Sequence, residues 1–172
     1  MSRLFSALVP PESAITHLRA ELERPEELRW LPVGSWHVTL GFFGDADDID
    51  HRRAWLRRRT GDVASARVRL SGAGRFPGVF WIGMSTVDDL AQRRFARLAR
   101  AAGAGLDDRE FRPHLTVARS RRGRGGRAIG DLVRRMTAYS GPEWTAGEVI
   151  LFRSEPEEEG QRYTVVDRIA LR

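Results

Sequence analysis

The chain contains no cysteine and no lysine. Without cysteine there is no disulfide framework and no thiolate metal site. Without lysine there is no Schiff base, no Walker-type phosphate lysine and no lysine–nucleotide adduct. Long apolar runs are missing too: none approaches the ~20 residues of a membrane span. The opening Met1-Ser2-Arg3-Leu4-Phe5 carries no apolar signal region. These absences lead to the expectation of a cytoplasmic protein with no membrane association. The 172 residues, 41% hydrophobic and 30% charged, fit one globular domain over 1–172. A chain of this size buries roughly 70% of its unfolded surface. All 29 basic residues are arginine, and the net charge is +6. The guanidinium fork binds two phosphate oxygens at once, so polyanionic partners are favoured. A soluble surface in an arginine-biased composition accounts for the charge equally well.

Two stretches stand out from this background. Trp36-His37-Val38-Thr39-Leu40-Gly41-Phe42-Phe43-Gly44 reads as a strand, rich in aromatic and β-branched residues and closed by Gly44-Asp45. Side chains alternate along a strand. Val38, Leu40 and Phe42 therefore form an apolar face, and His37, Thr39, Gly41 and Phe43 the other. The pattern returns 114 − 37 = 77 positions later as Pro113-His114-Leu115-Thr116-Val117-Ala118-Arg119. There Leu115 and Val117 are apolar, and His114, Thr116 and Ala118 share the opposite face. An undistorted strand would aim Arg119 away from that face.

Around these stretches, Arg3 to Val9 reads as a strand stopped by Pro10-Pro11. Ile15, Leu18 and Leu22 mark a helix. Residues 26–32 form an extended connector around Trp30. Asp45-Ala46-Asp47-Asp48 reads as the cap of a helix reaching about Arg59. Strands over 66–73 and 79–86 flank the turn Arg75-Phe76-Pro77-Gly78. Val87, Ala91, Phe95, Leu98 and Ala102 set an amphipathic helix that ends at Gly103-Ala104-Gly105. Ser120 to Gly126 reads as a flexible basic loop. Ile129, Val133 and Met136 mark a further helix. Strands near 145–153 and 162–171 are joined by an acidic turn from Glu155 to Gly160. Each half thus holds strands, a helix, a His-x-Thr strand and another helix. The expected fold is α+β, with largely antiparallel sheets.

Two imidazoles, one neutral and one protonated, form a general acid–base pair. Displacement at phosphorus uses such a pair: one activates the nucleophile, the other protonates the leaving oxygen. Thr39 and Thr116 lie on the histidine faces and can donate to phosphate oxygens. Gly41 and Ala118 would leave room for substrate there. One His-x-Thr on a half-buried strand is most often a satisfied core histidine. Two matched copies in similar halves favour chemistry. A metal site is disfavoured, because no His-x-x-x-His and no cysteine is present and the carboxylates cluster in caps and turns. His17 and His51 fall on polar faces and read as surface residues. The stretch Arg119-Ser120-Arg121-Arg122-Gly123-Arg124-Gly125-Gly126-Arg127 could bind an RNA backbone by charge. Its Gly123-x-Gly125-x-x-Ala128 pattern is not a dinucleotide site without a parallel sheet. A non-catalytic RNA-binding module using this loop is the alternative function.

With these residues the chain resembles the RNA 2′,3′-cyclic phosphodiesterase family, also called the 2′–5′ RNA ligase family, of the two-histidine phosphoesterase superfamily. The resemblance runs almost end to end. It covers Arg3-Leu4-Phe5-Ser6-Ala7-Leu8, the stretch from His37 to Gly44, and Phe76-Pro77-Gly78-Val79-Phe80-Trp81-Ile82-Gly83. It continues through Phe111 to Arg119, Leu151-Phe152-Arg153-Ser154 and Gly160-Gln161-Arg162-Tyr163. It implies two pseudo-symmetric α+β lobes around a V-shaped cleft, with helices outside. It further implies cofactor-free and metal-independent opening of 2′,3′-cyclic phosphates on RNA ends or nucleotides, by a protein expected to be a monomer. His37 would be the proton donor and His114 the proton acceptor, giving a 2′-phosphate. Thr39, Thr116 and Arg119 would bind substrate. The reverse reaction would be an ATP-independent 2′–5′ ligation.

Overall fold

The computed structural model describes residues 2–45 and 48–172. The strands are β1 (Arg3–Leu8), β2 (Leu28–Trp30), β3 (Val38–Asp45), β4 (Ala66–Phe76), β5 (Val79–Thr86), β6 (His114–Ser120), β7 (Trp144–Ala146), β8 (Glu148–Glu157) and β9 (Gly160–Ala170). The helices are α1 (Glu12–Glu21), α2 (Ile49–Thr60), α3 (Asp89–Ala101) and α4 (Gly126–Met136). The strands join in the order β7-β4-β5-β6-β3-β1-β8-β9, every pairing antiparallel, with β2 added to β6. On either side of the β3–β6 junction the orders β3-β1-β8-β9 and β6-β5-β4-β7 mirror one another, which gives the two lobes. β3 and β6 meet at a single pair, Val38 with Leu115, and then diverge. Where β3 leaves the edge of β6, β2 takes it up, pairing Leu28, Arg29 and Trp30 with Ser120, Arg119 and Ala118.

Local chemistry sets most of these elements. The periodic apolar residues of α3, Ala91, Phe95 and Leu98, are buried. Its N-cap Asp88 accepts a hydrogen bond from the Ala91 amide at 2.7 Å. At α2 the Asp48 carboxylate accepts from the His51 amide at 2.8 Å. Each such cap contributes about 1 kcal/mol. Of the expected α2 cap region, Ala46 and Asp47 lie outside the described residues. The helices pack on one side of the sheet: α1 and α4 against β4, α3 against β3, β4 and β5, and α2 against β9. Between sheet and helices lies the core, with Leu8, Leu18, Leu28, Leu56, Leu70, Phe80, Ile82, Leu98, Leu115 and Ile129 fully buried.

Three expectations change. The lobes are not the two halves of the sequence. The C-terminal β8 pairs with the N-terminal β1, Arg3 opposite Ser154 through Ala7 opposite Ile150. β1 has an edge left over after pairing with β3, and only a distant strand fills it. The acidic turn is also shorter than 155–160, because β8 runs to Glu157 and β9 starts at Gly160. The loop after β6 closes tightly. Arg121 and Arg124 exchange backbone hydrogen bonds of 3.1 and 2.8 Å, with Arg122 and Gly123 at φ of 47° and 77°. Those angles make a primed hairpin turn.

Among the described residues, no helix is long and apolar enough to cross a membrane.

Candidate active site

The face of the sheet opposite the helices opens as a cleft of about 590 Å³. That volume falls in the range of small-molecule sites. His37, Thr39, His114, Thr116 and Arg119 all line it. The single Val38–Leu115 pair explains the convergence. The pair thus brings the two motifs together on one cleft.

Both imidazoles are held in the same way. His37 Nδ1 lies 2.8 Å from the Ser35 carbonyl oxygen, and His114 Nδ1 lies 2.6 Å from the Arg112 carbonyl oxygen. A carbonyl only accepts, so each Nδ1 carries the hydrogen and donates it. Nε2 is thereby left as the basic nitrogen of the neutral ring. Aromatic walls set the ring planes. His37 packs against Phe5 at 4.9 Å and meets Tyr163 edge-on at 5.1 Å and 82°. His114 meets Phe76 edge-on at 5.1 Å and 85° and packs against Trp81 at 5.7 Å. Burial pushes the His37 imidazole below its ordinary value, the Ser35 carbonyl opposes that shift, and the charge of His114 adds to it. Burial pushes the Tyr163 phenol up, and the nearby Arg119 guanidinium works against it.

Strand parity fails in both motifs, for one physical reason. Against β1, Ala7 pairs with Thr39 but Ser6 pairs with Gly41, so Leu40 is an extra residue. Against β5, Trp81 pairs with Thr116 but Phe80 pairs with Ala118, so Val117 is extra. A bulge inserts one residue and inverts the alternation beyond it. Arg119 consequently turns into the cleft, where simple alternation would aim it away. Phe42, expected on the core face, lines the cleft as well. Gly41 and Ala118 move the other way. A Cβ on Gly41 would stand 2.3 Å from the Ala102 carbonyl oxygen, and Ala118 is wholly buried. Neither makes room for substrate; Gly41 makes room for the end of α3. The Ser6 hydroxyl secures this bulge, accepting from the Gly41 amide at 2.9 Å and donating to the Ala102 carbonyl at 2.6 Å.

The cleft also holds residues that the motifs did not indicate: Arg3, Phe5, Ser154, Gln161 and Tyr163. β1, β8 and β9 bring them, and only the pairing of the two chain ends reveals that. His17 is exposed and bonds the Tyr139 hydroxyl at 2.9 Å, and His51 is exposed on α2. Both lie outside the cleft lining, as expected of surface residues. Among the described residues, no group of three His, Asp or Glu side chains could hold a metal ion.

Known proteins share this fold. The chain is 28% identical, over a 198-residue alignment, to the RNA 2′,3′-cyclic phosphodiesterase of Thermus thermophilus, covering 99% of this chain and 90% of that protein. It superposes on the crystal structure of TT0787 of Thermus thermophilus with a TM-score of 0.69 at 25% identity, covering 98% and 97% of the two chains. On E. coli LigT complexed with 3′-AMP the TM-score is 0.66 at 26% identity, covering 99% and 98%. Residues 7–158 match the family described as the 2′-5′ RNA ligase superfamily. The chain belongs to that superfamily.

Proposed function

We propose that the protein hydrolyses 2′,3′-cyclic phosphates at RNA ends or on nucleotides, with His37 and His114 as the acid–base pair. The observation that carries this reading is the matched tethering of both imidazoles. Each donates Nδ1–H to the carbonyl two residues earlier, on the walls of one cleft. An Nε2 fixed in this way either takes a proton from water or, once protonated, gives one to a departing oxygen. The names of the relatives support the substrate.

The reaction asks for two proton transfers and a place for negative charge. His114 Nε2 takes the proton of the attacking water as the new P–O bond forms. His37, protonated on Nε2, donates to the 3′ oxygen as its bond to phosphorus breaks. The product carries a 2′-phosphate and a free 3′-hydroxyl. Thr39 and Thr116 hydroxyls donate to the non-bridging oxygens, where charge is held during displacement. Arg119 supplies fixed positive charge at the cleft wall. No metal or nucleotide cofactor takes part. With a 5′-hydroxyl in place of water, the same transfers join a cyclic phosphate to it as a 2′–5′ bond: His114 takes the hydroxyl proton, His37 protonates the departing 3′ oxygen, and no ATP is needed. The test is release of phosphomonoester from a nucleoside 2′,3′-cyclic phosphate in excess chelator. Turnover there supports the reading, and its absence contradicts it.

A further inference from the structure

Arg29 and Arg119 are direct cross-strand partners of the antiparallel β2–β6 pair. Residues directly opposite in such a pair project to the same face, across strands about 4.8 Å apart. Trp30 and Leu28 take the other face of β2: Leu28 is fully buried, and Trp30 packs on buried Phe80. Arg119 lines the cleft, so Arg29 stands on the cleft side next to it. Its guanidinium reaches toward the tip of the β8–β9 hairpin, 3.8 Å from where a side chain on Gly160 would begin. Pro156 and Gln161 of that hairpin line the cleft.

Two like charges directly opposite in a ladder destabilise the sheet. Other arginines on the sheet are matched with carboxylates, as Arg162 with Glu155 and Arg168 with Glu148 on β8 and β9. Among the described residues, the Arg29 and Arg119 side chains have neither an ion pair nor a hydrogen bond. The hairpin tip does not neutralise them either, although Glu157, Glu158 and Glu159 are there; Glu157 lies 3.6 Å from Arg162. An adjacent, uncompensated guanidinium pair suits one ligand chemistry above others: a phosphate, whose oxygens both forks can engage.

The position of the pair specifies which phosphate. From Thr116 to Arg119 the chain advances roughly 7–10 Å at ~3.3 Å per residue, less what the bulge takes up. That is the reach of about one ribose-phosphate unit from the histidines.

We propose that Arg29 and Arg119 form a second anion subsite, which takes the phosphate on the 5′ oxygen of the nucleoside whose cyclic phosphate is opened. The inference rests on the hydrolysis proposed above and makes RNA ends better substrates than bare cyclic nucleosides. The phosphate can be internucleotide, at an RNA end, or terminal, on a 5′-phosphorylated mononucleotide.

Three substrates test it with the full-length protein: a nucleoside 2′,3′-cyclic phosphate, the same compound with a 5′-phosphate, and a dinucleotide ending in the cyclic phosphate. A charge-assisted phosphate contact corresponds to a KM lower by roughly tenfold or more. The wild type should show that gain for the dinucleotide. A gain with the 5′-phosphorylated mononucleotide as well means that the subsite accepts a terminal phosphate; a gain with the dinucleotide alone assigns it to the internucleotide link. Arg29→Ala and Arg29→Gln should erase the gain and leave kcat and KM for the bare cyclic nucleoside unchanged. Equal losses on all three substrates would make Arg29 a support of the hairpin tip and overturn the proposal. So would a gain that survives in both variants, or no gain in the wild type. If the wild type opens none of the three, the hydrolytic reading itself fails; if it opens the bare compound without discrimination, only the subsite fails.

Discussion

Phe42 and Arg119 occupy equivalent places in the two lobes. Each stands five residues after a histidine (42 − 37 and 119 − 114), and each is turned into the cleft by one bulge. The same device thus places an aromatic ring on one wall and a cation on the other, so a symmetric scaffold carries an asymmetric site.

The bulge in β3 depends on the absence of a side chain at position 41. Gly41→Ala puts a Cβ against the Ala102 carbonyl and the Gly103 backbone, groups that cannot rotate away. The expected cost is about 1–3 kcal/mol, the usual range for overpacking, read as a lower denaturant midpoint. Turnover should fall too, because His37, Thr39 and Phe42 share the displaced strand.

Thr39 and Thr116 line the cleft together with both histidines. Replacing either with valine keeps the shape and removes a donor. The expected loss is about 10²-fold in kcat, comparable to deleting one oxyanion donor, with an unchanged melting profile. Wild-type kcat in both variants would make the hydroxyls structural.

The pH dependence follows from the burial of His37, which lowers its pKa. In the proposed role of proton donor, His37 must be protonated, so its competent fraction in free enzyme shrinks as pH rises through that lowered value. With His114 replaced, so that His37 alone of the pair titrates, kcat/KM should therefore fall with rising pH on the acid side of the ordinary ~6.5. A bound phosphate anion favours imidazolium, so the fall of that variant's kcat should lie at higher pH. In His114→Gln the residual rate should decrease as pH rises. A residual rate that climbs with pH would make His37 the base instead.

Activity is expected to persist in excess EDTA, since the proposed chemistry is carried by imidazoles and hydroxyls. Activity lost to chelator and restored only by zinc or manganese would refute this.

Much of the fold and the core of the site can be read from the sequence. The alternation around His37 and His114 is visible because a strand's period of two separates polar from apolar residues. The helix periodicity of Ala91, Phe95 and Leu98 is visible in the same way. The bulges at Leu40 and Val117 are not, because an extra residue in a strand looks like any other; that hides Phe42 and Arg119 as cleft residues. Long-range pairing is equally hidden. Nothing local to Phe5 or Tyr163 says that β1, β8 and β9 will surround His37, or that β2 will set Arg29 beside Arg119. The tight turn at Arg122 is hidden too, since an arginine at positive φ has no sequence signature.

The most direct test of the account is phosphorus NMR of a nucleoside 2′,3′-cyclic phosphate digested by the wild type, His37→Ala and His114→Ala. The account predicts a 2′-phosphate from the wild type. It predicts rates lower by about 10²–10⁴ in each variant, the scale of general acid–base catalysis. A predominant 3′-phosphate, or near-normal turnover in both variants, would contradict it.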